Sequence, residues 1–359
     1  LEVTNDHRVE QLEGVLFQAQ LGTMHAKTER VTHIAGFLAD AVGDDPKKST
    51  DLKRNVLRAA HLCKADLVSH VVGEFPKLQG VMGRVYATIA GEPAEVAAAI
   101  EEHYRPVYSG APLPDTKTGA FLVIAYKIDS ICGCFSVGLV PTGASDPYAL
   151  RRQGIGIVQI MLEKGFSFSL SALIEKTLSL FGKKSPSELA DLTEIVFFFI
   201  KNRISHLLAE EGFSKDVIAA VVDITGDTIT DVWNRVRALE SLKAQPDFEP
   251  LAVAFKRVGN IIKKSGPAAP ARAPQKVDAA LFEHESEGVL YAAFQEAERK
   301  ATAAIDQGRF DQALREIAAL RGSVDALFDG VMVMTDKKRL RENRLALLGC
   351  IAGLFEKFA

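Results

Sequence analysis

Residues 61–70 read HLCKADLVSH, and the reading of this stretch decides how the first half of the chain is understood. Its apolar residues are spaced so as to predict a buried helix. A hydrolase that holds a metal between helices would carry a neighbouring His and Asp at such a place. Here the neighbours are Ala65 and Asp66. The stretch is a working metal site, a disabled one, or an ordinary helix with one acid on it.

Outward from this stretch, helical periodicity continues almost throughout. KTERVTHIAGFLADAV places Val31, Ile34, Ala35, Leu38 and Val42 on one face, with Glu29, Arg30 and His33 largely on the other. EPAEVAAAIEEHY opens with Pro93 near a helix start, where a missing N–H costs nothing. RPVYSGAPLPDTKTG is a loop by its Pro and Gly content. The apolar run FLVIAYKIDSICGCFSVGLV carries Lys127 and Asp129 in its middle. Two charges there would be expensive in lipid, so the run is read as a buried helix and no membrane association is expected. SPSELADLTEIVFFFIKNRISHLLAEEG offers Ser185 as cap, Pro186 inside the start and Gly212 past the end. SGPAAPARAPQ reads as a flexible connection. The last helix places Leu345, Leu348, Ile351, Phe355 and Phe358 at helical spacing. No period-2 alternation is long enough for a sheet and no fixed-period repeat stands out. The expected fold class is all-α.

The chain has 359 residues, 47% hydrophobic and 25% charged, with a net charge of -3. These are ordinary values for a globular protein, so a nucleic-acid surface would have to be a local patch. Cys63, Cys132, Cys134 and Cys350 lack the spacing of a redox or zinc motif and are read as reduced, buried thiols. The chain starts at LEVTNDHRVEQ, with no Met and no basic segment leading into an apolar core, so no signal peptide is visible and a cytoplasmic location is expected. No phosphate-cradling glycine loop, HExxH or GxSxG is present. GIGIV, residues 154–158, has two glycines inside an apparent helix, which points to close packing.

Basic residues cluster. DKKRLRENR supplies Lys337, Lys338, Arg339, Arg341 and Arg344. Arg341 and Arg344, three apart, share a helix face. FKRVGNIIKK supplies Lys256 and Arg257 with Lys263 and Lys264, and LRR ends in Arg151 and Arg152. One such cluster would be read as a solvated helix face. Three in one helical chain favour contact with RNA, whose phosphates suit basic helix faces and whose unpaired bases suit flat side chains.

A series of stretches then carries a family resemblance: FQAQLGTMHAKTERV, KADL, EFPKLQGVMGRVYA, HYRP, KIDSICGCFSVGLVPTGASDPYALRR, AFKRVGNII and LRGSVDALFDGVMVMTDKKRLRENRLALL. Their order and spacing resemble the C-terminal half of the beta-subunit family of bacterial glycyl-tRNA synthetase, the heterotetrameric kind. The resemblance covers about Phe17 to Leu348. The family's beta chain has additional N-terminal domains, so this chain is expected to be a piece of something longer.

The resemblance implies an HD-type helical domain at 1–182, a helical linker region at 183–244, and a helical-bundle anticodon-binding domain like that of arginyl-tRNA synthetase at 245–359. The Pro/Ala-rich segment at 265–275 becomes a loop inside that last domain. An HD-type metal site needs a first His, a His-Asp pair and a distant Asp. The matching positions here are His25, Ala65, Asp66 and Tyr126, so the site is degenerate and no metal is expected. Asp66 is then expected to be a buried acid bonded to a neighbouring donor such as Lys127.

The function implied is tRNA binding and positioning within glycine–tRNA ligase, with the alpha subunit as partner in an alpha2beta2 heterotetramer and tRNA-Gly as ligand. No cofactor is expected on this chain, ATP and magnesium being used by the whole enzyme. No catalytic residue is assigned, and the chain alone is expected to be inactive. The candidate tRNA contacts are Lys337, Lys338, Arg339, Arg341, Arg344, Lys256, Arg257, Arg151 and Arg152. The alternatives are a metal-dependent HD-type phosphohydrolase and a helical protein-binding adaptor.

Overall fold

The computed structural model describes residues 4–42, 46–108, 110–222, 226–246, 248–264 and 277–358. The Pro/Ala-rich segment at 265–275 lies outside the described residues. Helices dominate, as the periodicity predicts. The strands among the described residues are one short antiparallel pair, Leu16–Gln18 with Gly22–Thr23. The chain divides into two compact units, residues 1–207 with 227–230, and residues 208–226 with 231–359.

Unit 1 runs α1 (Asn5–Gln11), the strand pair, α2 (Met24–Ala41), α3 (Pro46–Leu62), α4 (His70–Glu74), α5 (Val81–Ile89), α6 (Ala94–Glu102), α7 (Lys117–Ser136), α8 (Leu150–Lys164) and α9 (Leu170–Leu178). It also takes most of α10 (Pro186–Glu210), so the residues expected to form a separate linker begin inside this unit. The centre is α7. It is buried on nearly every side because it packs against α2, α3, α6, α8 and α9. By length and composition α7 could cross a membrane, but 94% of its apolar window is buried inside the protein.

Asp129 sits fully buried in the middle of α7. Two cations from α2 meet it: Lys27 Nζ lies 2.6 Å from Oδ2, and Arg30 Nε lies 2.7 Å from Oδ1. Ser130 Oγ takes a second hydrogen bond from Lys27. Leaving any of these charges alone would strand a buried ion, so the pair fixes α2 against α7.

The stretch at 61–70 is not one helix. α3 ends at Leu62, a 3-10 turn spans Ala65–Val68, and α4 begins after Ser69. Ser69 sets the boundary between the turn and α4: its hydroxyl donates to the Asp66 carbonyl at 2.7 Å and accepts from the Val72 N–H. Apolar spacing showed that the stretch is buried but could not show this side-chain competition with the helix.

Unit 2 contains α11 (Lys215–Val222), most of α12 (Ile229–Lys243), α13 (Phe248–Lys264), α14 (Glu285–Asp306), α15 (Phe310–Ala318), α16 (Arg321–Gly330) and α17 (Lys338–Phe358). Its core is built from Leu290 and Phe294 on α14, Leu314 and Ile317 on α15, Val324 and Leu327 on α16, and Leu347, Leu348, Ile351 and Leu354 on α17. All five residues expected at helical spacing on α17 lie in this core or against it.

Candidate functional site

Asp66, the acid of the opening stretch, is 1% exposed. Its Oδ2 accepts from the backbone N–H of Gly80 at 2.6 Å and of Gly83 at 3.0 Å. The carboxylate therefore caps the start of α5 from a neighbouring turn. Gly83 makes this possible, because a Cβ there would lie 2.6 Å from Ile100 and 3.2 Å from the carboxylate. Burial still pushes the Asp66 carboxyl up, and Oδ1 meets no donor among the described residues. Lys127, the donor expected from the sequence, is not its partner. Its side chain runs past Gly156 on α8, where a Cβ would lie 3.2 Å from Lys127 Cε. The close packing read into GIGIV is what admits this lysine.

The residue that sequence reasoning missed is Lys64, two places before Asp66. It is 2% exposed, and its Nζ lies 3.8 Å from the ring centre of Tyr104 and 4.4 Å from that of Tyr126. Lys27 Nζ lies 4.3 Å from the same Tyr126 ring. His103 packs on Tyr104 with ring centres 3.9 Å apart, its Nδ1 bonded to the Ile100 carbonyl and its Nε2 without a partner among the described residues. Aromatic faces attract cations, but they replace only part of the lost hydration. Burial accordingly lowers Lys64 to about 7, and burial lowers Lys127 to about 8. Burial also holds His103 well below the usual imidazole range.

A divalent cation does not fit this arrangement. Tyr126 faces two lysine side chains, Oδ2 of Asp66 is taken by two backbone amides, and His25 lies 3.8 Å from Glu29 on its own helix. Among the described residues no three His, Cys, Asp or Glu side chains converge. A lysine amine stands in this cluster beside the acid.

The basic residues of unit 2 fall into two groups. Lys337, Lys338 and Arg339 are exposed at the start of α17. Lys337 reaches Glu283 at 2.8 Å, and Lys338 lies 3.9 Å from Glu342. Arg344 is different, since it is 7% exposed and paired with fully buried Glu287 at 2.8 Å. Its Nη1 donates to the Met332 carbonyl at 2.9 Å. As an RNA contact Arg344 is corrected: its guanidinium is committed inside the unit. Arg341 is half-buried and donates to the Thr335 carbonyl at 3.0 Å. On α13, Lys256 and Arg257 are exposed, with the Arg257 guanidinium 4.3 Å from the Phe328 ring centre.

In unit 1, Arg151 and Arg152 open α8, where the backbone N–H groups of Leu150 and Arg151 are held by Asp146. Arg152 is exposed. A cavity of about 630 Å³ between α9 and α10 is lined by Glu175, Leu189, Ala190, Glu194 and Phe197. No candidate tRNA contact lines it.

The geometry thus gives a helical chain with a buried cluster of lysine, tyrosine and histidine side chains around Asp66 in one unit and exposed cations at the start of the last helix in the other. Comparison of sequences decides the rest. The family model for the glycyl-tRNA synthetase beta subunit matches residues 1–223. The chain belongs to that family. A second family model, the DALR anticodon binding domain, matches residues 251–358. The glycine–tRNA ligase beta subunit of Desulfatibacillum aliphaticivorans is 52% identical over 98% of this chain and 49% of its own length. The beta subunit of Geobacter metallireducens is 48% identical over all of this chain and 50% of its own length. The chain spans about half the length of these curated relatives.

Two outcomes follow from the geometry in this family member. The folded state binds fewer protons than the unfolded state at Lys64, Lys127 and His103, because their folded pKa values are lowered. Lys64 and Lys127 are therefore expected to contribute stability to unit 1 that grows as pH rises from about 7 and about 8 toward the unfolded lysine range of about 10, and His103 stability that grows as pH rises toward about 6.5, by up to about 1.4 kcal/mol per pH unit for each group within its window. Denaturant unfolding across this range checks the slope, and Lys64→Met should flatten it between pH 7 and 9. In unit 2, Arg344→Ala is expected to cost about 3–5 kcal/mol by stranding Glu287, whereas Arg339→Ala should stay within about 0.5 kcal/mol. The same unfolding assay separates them.

Proposed function

We propose that this chain is the tRNA-binding and tRNA-positioning region of the beta subunit of glycine–tRNA ligase, with no amino-acid activation site of its own. The observation that carries the reading is the match of residues 251–358 to an anticodon-binding domain, in a chain whose exposed cations Lys337, Lys338 and Arg339 open the last helix of that domain. On this reading tRNA-Gly is the ligand and the alpha subunit of an alpha2beta2 heterotetramer is the partner. The alpha subunit activates glycine, and ATP and magnesium act there. The work of this chain is orientation. Holding the anticodon end of the tRNA places its acceptor end in the partner's site and raises the effective concentration of the reacting hydroxyl.

Unit 1 is read as an HD-type scaffold whose centre is structural. The lysines against Tyr126 and the capping role of Asp66 argue against the phosphohydrolase alternative. The exposed cations argue against an adaptor that binds protein alone. A cytoplasmic location goes with this role.

Titration of the chain with tRNA-Gly at several salt concentrations tests the reading. Expected are saturable binding that weakens as salt rises, preference for tRNA-Gly over a tRNA with another anticodon, and no glycyl-tRNA formed by the chain alone. Sustained charging without the alpha subunit, or equal affinity for any polyanion, would overturn it.

A further inference from the structure

The segment between α16 and α17 alternates. Val331 and Val333 are 8% and 5% exposed, while Met332 and Met334 are 76% and 47% exposed. Extended backbone at Val331 sets this inward–outward pattern. The segment is strapped along its length. Arg344 holds the Met332 carbonyl, Arg341 holds the Thr335 carbonyl, and Lys337 reaches Glu283 at 2.8 Å. Behind the strap, Glu287 takes the Arg344 guanidinium and also the backbone N–H groups of Glu283 and His284, each at 2.9 Å. Gly330, where the segment begins, lies so close to the His284 ring that a Cβ would sit 2.6 Å from it.

Two thioether side chains are thus held out in water on a fixed backbone, with no route inward because the valines occupy the core. Folding gains little from this. A flat, polarisable ligand would gain, since methionine sulfur makes favourable contacts with aromatic rings. The surroundings name the ligand's charge. Lys337, Lys338 and Arg339 follow directly, and Arg339 has no carboxylate partner among the described residues. Asp336 and Glu342 are the acids nearest in sequence. An apolar protein surface would be bordered here by charges, whereas an unpaired nucleotide offers a π face beside a phosphate.

The geometry points to Met332 and Met334 as base-stacking contacts for an unpaired stretch of RNA, with Lys338 and Arg339 taking the adjacent phosphates. This rests on the tRNA reading above and deepens it. Arg341 and Arg344 become positioning residues that fix the strap.

The test uses the full chain and two RNA hairpins with the same stem: the anticodon stem-loop of tRNA-Gly, and one whose loop nucleotides are abasic. Paired Met332→Ala and Met334→Ala substitutions, both at exposed positions, are expected to weaken binding of the intact loop about fivefold or more and to leave the abasic loop unaffected. The salt dependence should be unchanged by this variant. Arg339→Gln should instead weaken both hairpins and make the salt dependence shallower. Undiminished affinity of the paired variant for the intact loop, or an equal loss on both hairpins, would overturn the assignment of the methionines while leaving the tRNA reading standing. Failure of the wild-type chain to bind either tRNA-Gly or its stem-loop would overturn both.

Discussion

A charge placed on the apolar stripe of a helix has to be met by its opposite inside the protein. The framework of each unit here depends on that constraint. In unit 1 the stripe Val31, Ile34 and Leu38 extends back to Lys27, and the buried α7 carries Asp129. Their contact at 2.6 Å, with Arg30 beside it, fixes how α2 lies on α7. A buried pair of this kind adds little net stability compared with an apolar pair, but either partner alone is strongly destabilising. It therefore acts on register more than on total stability.

Unit 2 repeats the device. Leu340, Arg344, Leu348 and Ile351 form one stripe of α17, and Glu287, Leu290, Phe294 and Ala297 form one stripe of α14. The two charges find each other at 2.8 Å, and the arginine has a donor left for the Met332 carbonyl. One buried pair thus ties two helices together and sets the backbone of the exposed strap. In the proposed RNA contact, core packing reaches the strap through this guanidinium.

Much of the architecture was legible in the residues. Caps and breakers marked α10 from Ser185 and Pro186 to Gly212, and the charges in the long apolar run showed that α7 is a core helix. The resemblance carried the family, and the candidate cations at 337–339 lie exposed at a helix start. Other features were hidden for physical reasons. Basic spacing alone groups Arg344 with Arg341, whereas the apolar stripe of α17 contains Arg344. The signal was present: an arginine on the stripe of α17 and a glutamate on the stripe of α14 predict a buried pair. Lys64 gave no such signal, since it lies between helices, where burial depends on tertiary contacts with Tyr104 and Tyr126. The boundary at Ser69 was equally local, set by one hydroxyl bonded to the Asp66 carbonyl and the Val72 amide.

Asp66 caps the start of α5, and the Lys27 and Lys64 amines lie against the Tyr126 ring. On the proposed reading the work of this chain is to hold RNA, at the strap and helix start of residues 331–341. Amide hydrogen exchange of the full chain, with and without saturating tRNA-Gly, tests that claim most directly. The account predicts added protection at residues 331–341 and unchanged exchange in α7. Full occupancy by tRNA-Gly with no added protection at 331–341 would contradict it.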